Sequence, residues 1–141
     1  MSTARTLTPR TGRVHGLSSS TVGVSVALGA AFWFIAAMVV HFGAPAGLYS
    51  GWAKAILFVV TPAVTWVTVM ILRNAARASE SDLVAAVSIA TAFATMLDAG
   101  AMTFTPTLYA STPEGVLGGA IWILWGVGWG LTQSFVGGGK G

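Results

Sequence analysis

The sequence predicts an all-α membrane protein, an antiparallel bundle of four transmembrane helices, and three observations carry that expectation. Hydrophobic side chains make up 55% of the 141 residues, charged ones 8%, and the mean hydropathy is +0.78. An ordinary soluble domain is about 25% charged. Seven basic and four acidic side chains are too few to cover a water-exposed surface, so the apolar excess is expected to face lipid. Four apolar runs each reach the roughly 20 residues that cross a hydrocarbon core of about 30 Å. The breaks between them are short and carry Pro, Gly or clustered polar residues, which end helices.

In chain order, residues 1–20 are rich in Ser, Thr, Gly and Arg and are expected to form a disordered, basic cytoplasmic tail. The first span is expected over 21–42. The break after it, GAPAGLYSG at 43–51, cannot continue a helix comfortably and reads as a tight hairpin. Its Ala44-Pro45-Ala46 has the form of a signal-cleavage site. The apolar run ahead of it, however, is longer than the usual signal core of about 7 to 15 residues, so the span is expected to be retained. The second span covers 52–72. The break RNAARASESD at 73–82 ends in Ser79-x-x-Asp82, a cap ahead of an apolar run. The third span covers 83–105, and the break after it carries Pro106 and Pro113, with Pro113 and Glu114 suited to a first helical turn. The fourth covers 116–136, and residues 137–141 read as a flexible tail.

Basic residues in short loops stay cytoplasmic. Arg5, Arg10, Arg13, Arg73, Arg77 and Lys140 fall on one side and only Lys54 on the other, which predicts both termini in the cytoplasm. The tail arginines fit anionic headgroups. No basic-aromatic interleaving supports nucleic acid as a partner.

At about 100° per residue, Lys54, Thr61, Thr65 and Thr68 form one polar stripe on the second span. Ser88, Thr91, Thr95, Asp98 and Thr105 form another on the third. Joined by a short loop, the two helices are expected to be neighbours whose stripes face each other, pairing Thr68 with Ser88, Thr65 with Thr91 and Thr61 with Thr95. Hydroxyl packing does not account for Asp98, because an ionised carboxylate deep in the core costs up to about 2.5 to 3.5 kcal/mol. It lies about 10 Å below the boundary near Thr105 at about 1.5 Å per residue. An Asp98–Lys54 pair, with His41 as a third titratable member, is the expected cluster. The role of Asp98 is structural, as a buried ion pair or hydrogen-bonded carboxylate, or a protonation-linked transport or ligand role, or that of a water-exposed vestibule carboxylate without chemistry. Pro62 deletes a helical hydrogen bond and should kink the second span, as packing or as a hinge.

The fourth span carries Gly115, Gly119, Gly126 and Gly130 on one face, at spacings that permit close helix approach. Trp122, Trp125 and Trp129 occupy the next sector and want acceptors for their N–H groups. Intramolecular packing, an interface with another chain, and a site for a pigment or lipid are the three readings of that helix.

The sequence has no cysteine, which removes thiol chemistry and thiolate metal sites. The second histidine, His15, lies in the tail, so a bis-histidine haem is not expected. Nor does any metal-ligand cluster, nucleophile elbow or phosphate loop appear. No enzyme, cofactor or metal is expected.

Four stretches, GAAFWFIAAMVVHFG, TPAVTWVTVMIL, MLDAGAMTFTPTLYA and GGAIWILWGVGWGL, together resemble an uncharacterised family of bacterial four-span inner-membrane proteins, a domain of unknown function. The most specific part is Met96-Leu97-Asp98 with Pro106 downstream, followed by the final helix rich in Trp and Gly. The resemblance implies a bacterial inner-membrane location and a four-helix fold, and it carries no activity. The chain departs from the family in its greater Ala and Gly content and its long arginine-bearing tail. Small multidrug transporters share the size, but they place their acidic residue in the first helix, where residues 21–42 have none. The expected function is packing or interaction, as an accessory subunit of a membrane complex or a homo-oligomer. The alternative is a minimal proton-coupled transporter of small molecules, acting as a dimer through Asp98, Lys54 and a Pro62 hinge.

Overall fold

A computed structural model of the protein describes residues 13–14 and 16–137. Four helices dominate it: α1 Ser19–Gly43, α2 Gly51–Ala75, α3 Glu80–Phe104 and α4 Pro113–Gly137, each of 25 residues. At 1.5 Å per residue each is about 37 Å long, and all four are long and apolar enough to cross a bilayer. The chain is an all-α four-helix bundle of membrane-spanning character, as its composition predicts.

Each helix starts ahead of its apolar run, and at α1 a polar residue caps the start. Ahead of α1, strands β1 (Arg13–Val14) and β2 (Leu17–Ser18) pair antiparallel around Gly16, whose φ is +92°. Ser18 then caps α1, its hydroxyl accepting from the Thr21 N–H at 3.0 Å. The expected disordered tail therefore gives way to ordered chain before residue 21; its residues 1–12 and 15, including Arg5, Arg10 and His15, lie outside the described residues. So do residues 138–141 of the expected C-terminal tail.

The hairpin at 44–50 forms as predicted, with Gly47 and Gly51 at φ +78° and +52°. Ser79 stands at the N-cap of α3, but its hydroxyl donates to the Asp82 carboxylate at 2.6 Å instead of receiving a backbone N–H. The reciprocal capping box is therefore not made. At the end of α2, Ala78 N–H donates to the Arg73 carbonyl and Arg77 N–H to that of Asn74, the paired bonds of a Schellman turn. The left-handed position of that turn, usually glycine, is held by Arg77 at φ 49°. Arg77→Gly is expected to stabilise the fold by about 1 kcal/mol, the steric cost of a Cβ in that conformation. A titration of unfolding in mixed micelles measures it.

The bundle has two ends. One carries the 44–50 and 105–112 loops, the two-loop end; the other carries the 76–79 turn, the start of α1 and the end of α4. Connectivity is up-down-up-down, yet the closest helix pairs are not sequence neighbours. α3 packs chiefly on α1, and α2 chiefly on α4. Gly29 lies ten residues beyond Ser19 and Ala90 ten beyond Glu80, and a Cβ on Gly29 would overlap the Ala90 carbonyl, so α1 and α3 run parallel and in register. Thr21 Oγ1 donates to the Ala76 carbonyl at one end of this pair, and His41 Nδ1 lies 3.0 Å from the Leu108 carbonyl at the other. A backbone approach this close gives dispersion and weak C–H···O contacts in place of a hydrophobic driving force that lipid does not supply. Core residues Val69, Leu72, Leu83, Val87 and Ala90 fill the bundle toward the 76–79 turn. Ala37, Val40 and Tyr109 fill the two-loop end.

The expected facing of the α2 and α3 stripes is not what forms. α2 leans on α4, and its threonines turn back to their own helix: Thr61 to the Leu57 carbonyl, Thr65 to that of Pro62, Thr68 to that of Thr65. Thr95 does the same with Thr91 on α3, and Ser88 is exposed. A short loop brings two helix ends together but does not choose which faces pack. The closest fits, such as Gly29 against Ala90, do that.

Candidate functional site

The deep carboxylate lies at the two-loop end, six residues before the end of α3, and is 7% exposed. Beyond α3 the chain makes a short 3-10 turn, Pro106–Leu108, which swings Tyr109 back into the bundle, where it is fully buried. The Tyr109 hydroxyl donates to Asp98 Oδ1 at 2.5 Å, and the Trp33 indole N–H of α1 donates to the Tyr109 hydroxyl at 2.9 Å. The direction is forced. An indole N–H can only donate, so the phenol oxygen accepts it and passes its own hydrogen to the carboxylate. Three segments distant in sequence are tied by two bonds at one point.

Lys54 does not join this cluster. It is exposed near the start of α2, and the one ion pair among the described residues is Arg73–Glu80 at 3.4 Å. His41 does not reach Asp98 either; its Nδ1 carries the proton given to Leu108, clamping the same loop to α1. The expected Asp98–Lys54–His41 cluster is therefore replaced by Asp98–Tyr109–Trp33, because the folded-back loop brings a phenol to Asp98 while α2 is drawn toward α4. Among the described residues no group of three or more His, Cys, Asp or Glu could hold a metal.

Burial raises the pKa of both tyrosines. Tyr49, in the 44–50 hairpin with its hydroxyl enclosed, is pushed up to about 12 by desolvation. Tyr109 is raised further, by burial first and then by its bond to the Asp98 carboxylate and that group's charge. A raised phenol pKa favours the neutral form, so this stabilisation is complete below the ordinary value of about 10 and is lost as pH climbs through 10 toward 12. These are the only tyrosines in the sequence. A spectrophotometric titration is expected to show no phenolate at pH 10.5 while the fold is intact.

A second polar cluster joins α2 to α4. Pro62 has no N–H, which frees the carbonyl of Phe58, and Trp125 Nε1 donates to that carbonyl at 3.0 Å while its ring stacks on Phe58. Trp122 Nε1 donates to Thr61 Oγ1 at 2.8 Å, and Gln133 Nε2 to the Pro62 carbonyl at 2.7 Å. The proline break is thus stapled from α4. Trp125→Phe is expected to cost about 1 to 2 kcal/mol by orphaning the carbonyl. In a Pro62→Ala background that restores the helical donor, the cost should vanish. Thermal unfolding of the four proteins of that cycle checks it.

The glycine face of α4 is used inside the chain. A Cβ on Gly115 would press Ala110, on Gly119 Val40, and Gly126 faces Thr61 and Thr65. Gly130 has open space around it. Trp129 meets Trp125 edge-on. Of the candidate interface residues, Gly115, Gly119, Gly126, Trp122 and Trp125 are therefore committed to intramolecular packing. Sequence reasoning missed Trp33, Tyr109 and Gln133. The available signal was an aromatic hydroxyl just past a proline that follows a deep acid, together with indole N–H groups at depths where only protein can accept from them. Compared with known protein families, characterised proteins and solved structures, the chain matches none.

Proposed function

We propose that the protein acts by association within the bilayer, as an accessory subunit of a membrane complex or as a homo-oligomer, and not as an enzyme. The four spanning helices make it a multi-pass membrane protein. The observation that carries the reading is where the polar groups of the spans go. The Trp33, Trp122 and Trp125 indoles, the Tyr109 phenol and the Gln133 amide all donate to groups of the same chain and tie its helices together. The groups that a catalytic or transport site would use thus act as fasteners. Meanwhile α2 is left bare over much of its surface, with Trp52 85% and Val59 78% exposed.

The inner membrane of a bacterium, with both termini in the cytoplasm, is the location we assign. Arg73 and Arg77 at the 76–79 turn support that orientation. In reconstituted vesicles the protein is expected to carry no proton-coupled flux of cations or hydrophobic amines. Subunit counting in native membrane discs is expected to find it in company. Flux that disappears with Asp98→Asn would replace this reading with the dimeric transporter.

A further inference from the structure

His41 is the one histidine among the described residues, and its ring is exposed. Nδ1 gives its hydrogen to the Leu108 carbonyl at 3.0 Å, which fixes the tautomer of the neutral ring and leaves the lone pair on Nε2. Nε2 has no hydrogen-bond partner among the described residues. Phe42 meets the ring edge-on, with centroids 5.0 Å apart. An imidazole oriented through one nitrogen by a backbone carbonyl, with the other nitrogen bare, is the arrangement that metal-ligating histidines adopt.

Which metal species a single imidazole can hold follows from counting ligands. A bare ion such as zinc takes about four donors, and no group of three or more His, Cys, Asp or Glu is present among the described residues. A metal inside a tetrapyrrole already has four equatorial nitrogens and needs one axial ligand from the protein. The face of α1 below His41 suits such a macrocycle. At about 100° per residue, Phe34, Met38, His41 and Phe42 share one side of the helix. Phe34, Ile35, Met38, Val39 and Phe42 line an apolar groove of about 370 Å³, within the range of about 300 to 1,000 Å³ of small-molecule sites. Residues 34–42 cover about 12 Å of helix, comparable with the width of a porphyrin ring. His41 lies two residues inside the end of α1, so a macrocycle on this groove keeps its apolar edge in hydrocarbon while its carboxylate arms reach the boundary. We infer that His41 Nε2 is the axial ligand of a metal-centred tetrapyrrole, an iron or magnesium macrocycle, seated on this face of α1. The 105–112 loop then has two tasks: Tyr109 fastens Asp98, and the Leu108 carbonyl aims the ligand. The inference adds a cofactor where the sequence predicts none, and it does not depend on the association reading.

The full chain in phosphatidylcholine vesicles is titrated with hemin and, separately, with zinc protoporphyrin IX, which takes one axial ligand as magnesium macrocycles do. The unaltered chain is expected to bind one equivalent with the absorption shift of axial nitrogen ligation. His41→Asn is the decisive variant, because its amide N–H stands in for Nδ1–H and can still donate to Leu108 while Nε2 is gone. It is expected to fold, to bind about tenfold more weakly or worse, and to lack the shift. His41→Gly should regain the shift when free imidazole is added. Phe34→Ala keeps the ligand and is expected to reach the same shift at saturation with weaker affinity. Saturation by hemin alone assigns an iron macrocycle and by the zinc compound alone a magnesium one; either, or both, supports the site. Equal uptake by the unaltered chain and His41→Asn, as for a porphyrin merely dissolved in lipid, or a shift that survives in His41→Asn, would overturn it. Single copies suffice for every readout, so the result stands apart from whether the chain associates.

Discussion

Tyr109→Phe is expected to destabilise the folded chain by about 2 to 3 kcal/mol. A single side-chain hydrogen bond inside a membrane averages about 0.6 kcal/mol, because the unfolded chain also finds partners there. The Tyr109 hydroxyl serves two partners at once and one of them is a carboxylate; bonds to charged groups are worth about 1.5 to 3 kcal/mol. Removing it takes away the oxygen that accepts from Trp33 and the hydrogen given to Asp98 Oδ1, in a place where Tyr109 is fully buried and water does not substitute. Asp98→Asn keeps an oxygen at the same position and should cost less than Tyr109→Phe. Unfolding followed by tryptophan fluorescence in mixed micelles gives both values. A loss under about 0.5 kcal/mol for Tyr109→Phe would mean that the hydroxyl fastens nothing.

The other large effect belongs to Gly29. A Cβ there would run into the backbone carbonyl of Ala90, which cannot swing aside as a side chain would. Gly29→Ala is expected to cost about 1 to 3 kcal/mol, as overpacking does in a close-packed interior, and Gly29→Leu to prevent accumulation of folded protein. Gly23 and Gly128 lie in helices with open space where a Cβ would go. Replacing either by Ala should be neutral or stabilising by up to about 1 kcal/mol, the helix propensity gain alone. Opposite signs at glycines of one chain separate packing from propensity. Equal effects at Gly29 and Gly128 would remove the α1–α3 contact from the account.

The helices were legible in the sequence because lipid imposes one strong rule: a long apolar run with every backbone group bonded inside its own segment. Pro45, Pro106 and the glycines of 43–51 marked the breaks for equally local reasons. Helix pairing was not legible. The expected neighbours α2 and α3 were chosen by loop length, whereas the observed pairs depend on the match of single small residues, Gly29 to Ala90 and Gly126 to the Thr61 and Thr65 methyls, which no periodicity reports. Asp98 stood out because charge is expensive in hydrocarbon. Its partner did not, because Tyr109 lies eleven residues on in a segment read as an exposed break, and only the turn at Pro106–Leu108 returns it to the carboxylate. Pro62 was visible as a break in α2. The donor that satisfies its freed carbonyl comes from Trp125, in a helix whose tryptophans had three competing readings.

The central claim is that Asp98 is held within its own chain by a phenol and not by an ammonium. A double-mutant cycle between positions 98 and 109, run beside one between 98 and 54 in micelles dilute enough to hold single copies, tests it most directly. The account predicts a coupling of about 1 to 2 kcal/mol for Asp98→Ala with Tyr109→Phe, within the range of contacting pairs, and none for Asp98→Ala with Lys54→Gln. Additive losses at 98 and 109 together with coupling between 98 and 54 would contradict it.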